Sequence, residues 1–176
     1  MKPSSQETGL TTIEINLFKK ISLFQDLKEE EVKQVLRLSV PRTFPAGSVI
    51  IREDEAGDSM FIMVKGEVEI TKRLGLVLDE ETPNERIIIR LKAEEGVCFG
   101  EMSLLENEPR SATVTALTEC LLMEMGRENF MRLIRENSDM GCKVLWRLAQ
   151  LLSRYLRKTN QDMVKLTTAM AIALGR

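Results

Sequence analysis

The sequence predicts a mainly β domain, a sandwich or barrel-like roll, with helices ahead of it and one long helix behind it. Three observations lead there. From Thr43 to Met125, short β-branched and apolar runs alternate with Pro, Gly and Asp turn clusters, a cadence too quick for βαβ units. Before this stretch, Ile13, Leu17, Ile21 and Phe24 recur at helical spacing. After it, Leu145, Leu148, Leu152 and Tyr155 step by three, four and three, the a/d spacing of a coiled-coil seam, and polar Thr159 continues the stripe.

Residues 1–12 are polar, hold Pro3 and Gly9, and predict a flexible tail. A second helix is expected where Lys28-Glu29-Glu30-Glu31 precedes Val32, Val35, Leu36 and Leu38, because acidic residues suit a helix N-terminus; Pro41 ends it. Val49-Ile50-Ile51 follows a Pro/Gly turn, and Glu53 to Ser59 is a turn cluster. Met60 to Val64 then reads as a buried strand, and Val68 to Lys72 alternates as a half-exposed one. A hairpin or loop is expected from Gly75 through Glu85, with the strand resuming at Arg86-Ile87-Ile88-Ile89-Arg90-Leu91. Thr113–Leu117 and Cys120–Met125 give two more strands, and Phe130, Leu133 and Ile134 mark a short helix. The long helix runs from about Asp139 towards Leu166. It would either lie on its own domain or serve as a dimerisation seam. The chain thus divides into the tail, a roll with flanking helices at 13–138, and a long helix with a short tail at 139–176.

The totals exclude several classes of function. A length of 176 residues suits one domain plus a helical appendage. The net charge of −2 argues against general affinity for nucleic acid or anionic membranes. There is no histidine, which removes the commonest general base and metal ligand, so neither an enzyme nor a metal site is expected. Cys98, Cys120 and Cys142 are far apart and odd in number, as befits reduced, semi-buried thiols. No signal core or membrane-length apolar run is present, so the expected compartment is the cytoplasm.

One segment between predicted strands carries chemistry: Phe99-Gly100-Glu101-Met102-Ser103-Leu104-Leu105-Glu106-Asn107-Glu108-Pro109-Arg110-Ser111-Ala112-Thr113-Val114. Gly100 permits an unusual dihedral before a short helical turn whose first N–H groups would be open to an anion. Arg110 offers a fixed fork of donors suited to two oxygens of one phosphate. Ser111 adds a hydroxyl, and Ala112 leaves its N–H sterically open. Ionised Glu101 only accepts hydrogen bonds and suits a sugar hydroxyl. The simpler alternative is a structural Glu101–Arg110 ion pair beside a turn.

The segment closely resembles the phosphate-binding cassette of the cyclic-nucleotide-binding domain family, whose hallmark is Phe-Gly-Glu, a small apolar helix, then Pro-Arg, a small residue, Ala, Thr and Val. Upstream, Leu23-Phe24 with Leu27, Pro45-Ala46-Gly47, Gly57-Asp58-Ser59-Met60-Phe61 and Lys65-Gly66-Glu67-Val68 match as well. The resemblance spans roughly residues 21–165. It implies a double-stranded β-helix, a jelly-roll-like β-roll, with flanking N-terminal helices and a long C-terminal helix. It also implies that Glu101 takes the ribose 2′-hydroxyl and that Arg110, helped by Ser111 and Ala112, takes the cyclic phosphate. Gly100 and Met102 would contribute backbone.

The long helix resembles that of the bacterial cAMP receptor protein group, in which a Thr followed by a small polar residue reaches the adenine, the second from the partner subunit. Thr159 and Asn160 stand there, so cAMP is favoured. A hydroxyl after the arginine, as in Ser111, also occurs in cGMP-selective members and keeps cGMP open. The ligand would be the cyclic nucleotide itself, with no cofactor. In the transcription-factor branch a helix-turn-helix domain follows the long helix. Only ten residues follow Leu166 here. The expectation is therefore a stand-alone sensor that dimerises through its C-terminal helix, signals to an unidentified protein partner, and binds neither DNA nor membrane directly. The competing expectation is a protein-interaction module on the same fold that does not depend on nucleotide.

Overall fold

The computed structural model describes residues 17–73, 85–106 and 108–175. The tail assigned to 1–12 and most of the hairpin expected after Gly75 lie outside them. Eight strands are described: β1 (Val40–Phe44), β2 (Val49–Ile51), β3 (Ser59–Lys65), β4 (Glu67–Arg73), β5 (Glu85–Lys92), β6 (Cys98–Phe99), β7 (Thr113–Ala116) and β8 (Cys120–Gly126). The helices are α1 (Glu29–Arg37), α2 (Met102–Leu105), α3 (Arg127–Glu136) and α4 (Ser138–Ala173), with a 3₁₀ turn at Ala93–Glu95. Residues 17–20 are also helical.

The strands form two four-stranded antiparallel sheets, ordered β1-β8-β3-β6 and β2-β7-β4-β5. Sequence neighbours β1 and β2, and β3 and β4, belong to different sheets, so the chain winds as a roll rather than a meander. This is the β-roll architecture that the resemblance implies.

Strand β3 shows why the sequence folds this way. Side chains on a strand alternate between faces. Phe61 and Met63 enter the core between the sheets with Val68, Phe99, Val114 and Leu122. Met60 and Ile62 enter a second core with Phe18, Phe24, Val35, Phe130, Val144 and Leu148 from the helices. A strand buried on both faces needs the continuous apolar run that Met60–Val64 supplies. Along the opposite sheet's edge, β5 exposes Ile87, Ile88 and Ile89, and the ladder to β4 shifts register between Ile70 and Thr71.

Helix α4 has 36 residues and is about 54 Å long. Asn137 caps it, its side-chain oxygen accepting the Met140 N–H at 3.1 Å. Its first turns lie on the domain, with Met140, Val144 and Leu148 buried. They are also tied to the turn before α1 and to α1 itself. The Arg147 guanidinium holds both Asp26 oxygens at 2.5 and 2.7 Å, and Lys143 reaches Glu31 at 3.1 Å. The second half of α4 is exposed, with Leu156, Met163, Leu166 and Met170 each about 60% accessible. The apolar stripe of the sequence therefore splits: Leu148 belongs to the chain's own core, and Leu145 beside it is 41% exposed. Among the described residues no helix is long and apolar enough to cross a membrane.

Candidate functional site

Between the 99–112 segment, the β4–β5 ribbon and α4 lies a cavity of about 1120 Å³. Clefts that hold small ligands span roughly 300–1,000 Å³, so there is ample room. Its walls include Ile70, Ile87 and Ile89 from the ribbon, Gly100 to Ser103 and Pro109 to Ala112 from the segment, and Tyr155 and Thr159 from α4. Six predicted contact residues, Gly100, Glu101, Met102, Arg110, Ser111 and Ala112, thus face one space. Thr159 joins them from the far wall. Asn160 is exposed and does not line the cavity of its own chain.

Arg110 is only 8% exposed and is held from several sides. Its backbone is clamped to the turn before β3: Asp54 N–H donates to Arg110 O, and Arg110 N–H to Glu55 O, both at 2.9 Å. Nη1 donates to Ser59 O at 2.6 Å and Ser103 Oγ at 3.0 Å, and Nη2 donates to Ser59 Oγ at 3.2 Å. Nε has no partner among the described residues. The protein therefore occupies Nη1 and one hydrogen of Nη2, and leaves Nε and the second Nη2 hydrogen, two donors that can pair two oxygens at once.

Two glycines make room for this placement. Gly100 has φ +79°, where an L side chain is strained, and a Cβ there would meet Nη1 at 2.9 Å. At Gly57 a Cβ would overlap Nε and the guanidinium carbon.

Electrostatically the site is unbalanced. Among the described residues no carboxylate lies within ion-pair distance of Arg110. Burial lowers its pKa, against upward pulls from Asp58 and Glu124 at longer range. Glu101 is 6% exposed, and among the described residues no cation lies within ion-pair distance of it. Burial pushes its carboxyl up, with its own N–H acting the other way. The ion pair weighed as the simpler alternative does not form. A buried cation and a buried acid, each without a counter-charge, are costly unless something else satisfies them.

The surroundings hold the segment in shape. Helix α2 is a single turn, and Arg127 at the start of α3 donates to the carbonyls of Ser103 and Glu106 at its end. Lys72 on β4 donates to Ser111 O at 2.8 Å and lies 3.5 Å from Glu53. Glu53 also accepts the Arg73 N–H at 2.8 Å, which lowers its pKa. Sequence reasoning missed Ser59, Ser103, Gly57 and Lys72 as supports. Only the Gly57-Asp58-Ser59 match hinted at two of them, because a turn more than fifty residues upstream carries no local sign of its partner.

The comparisons with known proteins identify the family. A family model described as the cyclic nucleotide-binding domain matches residues 41–137, more than half of the chain. A cyclic nucleotide-gated potassium channel from Rhizobium etli is 36% identical over 121 residues, covering 69% of this chain and 30% of the channel. A CRP-like cAMP-activated global transcriptional regulator from Mycobacterium tuberculosis is 26% identical over 144 residues, 82% of this chain and 59% of the regulator. Among solved structures, the Thermus thermophilus catabolite activator protein superposes with a TM-score of 0.71 at 30% identity, over 83% of this chain and 63% of that one. The chain spans about a third of the channel and under two thirds of the regulator. With its β-roll and this match, the chain belongs to the cyclic nucleotide-binding domain family.

Proposed function

We propose that this domain binds a 3′,5′-cyclic nucleotide, cAMP ahead of cGMP, and acts as a regulatory sensor rather than a catalyst. The observation that carries the reading is Arg110, buried beside a cavity with no ion-pair partner among the described residues, its Nε and one of its two Nη2 hydrogens left unclaimed. A cyclic phosphate supplies two oxygens and one negative charge for those two donors. Glu101, on the same cavity, supplies an acceptor for the ribose 2′-hydroxyl, and the open space toward Ile87 and Ile89 accepts the base. Ser111 and the Ala112 N–H flank the phosphate position. Thr159 on the opposite wall and the cAMP-activated regulator among the relatives favour adenine.

The signal leaves through α4. Leu145, Ala149, Leu152, Leu156, Thr159, Met163, Leu166 and Met170 follow strict four-three spacing. All are exposed except half-buried Leu152. This seam fits a second copy of the chain, because sustained a/d spacing buries best against an equivalent helix. Thr159 sits where seam and cavity meet. Asn160, on the seam's outer flank, would reach the opposite protomer's pocket. A downstream protein would read the rearranged dimer.

Calorimetric titration with cAMP and cGMP tests the reading, followed by melting with saturating ligand. At one hundred times the dissociation constant the ligand adds ~2.7 kcal/mol of stability. Absence of both heat and stabilisation with either nucleotide overturns the proposal and favours a nucleotide-independent interaction module. A subtler check is Gly57→Ala. The new methyl must displace a guanidinium already fixed by Ser59, and overpacking of this kind costs about 1–3 kcal/mol. Affinity should fall at least ~5-fold. Unchanged affinity in that variant would show that the arginine's placement is irrelevant to binding.

A further inference from the structure

Helix α4 carries the chain's single tyrosine, Tyr155, and turns it toward the cavity. It stands one turn before Thr159, about 6 Å along the helix axis. Both residues line the same wall. Tyr155 interacts electrostatically with Glu101 and Cys98, at the start of the 99–112 segment, while Thr159 lies farther along. The two α4 hydroxyls are therefore spaced on the order of the distance from a nucleoside's sugar to its base.

Hydrogen-bond bookkeeping sharpens the point. An ionised Glu101 can only accept, so it uses the donor of a sugar hydroxyl and leaves that hydroxyl's own lone pairs open. The group that best fills them is a second, protonated hydroxyl. Burial, then Glu101 and Cys98, push Tyr155 up to about 12, with Arg154 pulling weakly down, so its proton is retained at neutral pH. Tyr155 is 46% exposed and lies outside both hydrophobic cores, so packing alone does not account for its position.

Resting on the nucleotide reading above, we propose that Tyr155 contacts the ligand directly, its hydroxyl donating to the ribose 2′-hydroxyl that Glu101 accepts from. Helix α4 then reads the sugar as well as the base. Occupancy joins the 99–112 segment to α4 through one shared hydroxyl. A 2′-deoxy nucleotide would fill the pocket without making that junction.

The test compares wild type with Tyr155→Phe by calorimetry, using a 3′,5′-cyclic nucleotide and its 2′-deoxy form. The variant should bind the ribonucleotide ~5–10-fold more weakly, as for loss of one buried hydrogen bond, and the deoxy form as wild type does. Equal affinity for the ribonucleotide, or equal loss for both ligands, overturns the contact. A wild type that binds neither ligand brings down the nucleotide reading itself. A nucleotide-free measurement isolates the geometry: 3-nitrotyrosine placed at position 155 reports its ionisation by absorbance. Glu101→Gln should lower that midpoint by removing a neighbouring negative charge. An unmoved midpoint would show that the two side chains do not share a corner of the cavity.

Discussion

Arg110→Ala is expected to weaken cyclic-nucleotide binding at least ~30-fold, equivalent to ~2 kcal/mol. Charge-assisted hydrogen bonds contribute about 1.5–3 kcal/mol each, and among the described residues no other cation is buried to compensate the phosphate. Arg110→Lys separates charge from geometry. A lysine keeps the charge but lacks the fork, so it should recover only part of the loss. Calorimetry on folded variants is the measurement. An alanine variant that melts as a folded protein and binds like wild type would sink the phosphate assignment.

Leu156→Asp together with Met163→Asp should convert a dimer to a monomer in sedimentation at micromolar concentration, without unfolding the roll. Both side chains are about 60% exposed in the single chain, so their replacement opens no cavity in either core. In a paired seam each would place a charge against its own copy, and an unpaired charge in such a contact costs several kcal/mol. A wild type that sediments as a monomer, or a double variant that stays dimeric, removes α4 as the seam. The dimer should also tighten the pocket, since in the proposed pairing Asn160 would reach the ligand from the opposite protomer. The double variant is therefore expected to lose some affinity together with its dimer.

Much of this was legible in the sequence because the signals were local. The both-faces-buried β3 follows from the unbroken Met60–Val64 run, and the 99–112 segment announces itself by a fixed order of Gly, Glu, Pro, Arg and small residues. Two features were not legible. The sequence places Leu145, Leu148, Leu152 and Tyr155 on one α4 stripe, but a helix of 3.6 residues per turn lets one residue belong to either of two adjacent faces. Leu148 is buried in the chain's own core, whereas Ala149 and Leu156 face outward on the exposed side of the helix. The β5 isoleucines resemble any core strand by periodicity, yet they are 41–54% exposed because they border a cavity instead of a packed layer. Ser59 and Ser103 were invisible as supports for Arg110, since their role exists only once the roll has brought the turn and the segment together.

The paired grip of Arg147 on Asp26 has a mechanical consequence. With Lys143 on Glu31 beside it, the opening turns of the long helix and residues 26–31 are joined as one block. A nucleotide that re-aims the helix must either swing this block as a whole, pivoting where α3 ends at Asn137, or bend the rod beyond Arg154, where the domain no longer supports it. The first route carries the N-terminal segment along as a lever arm. Residues 17–31 would then feel the ligand as directly as anything docked on the far tip of the helix.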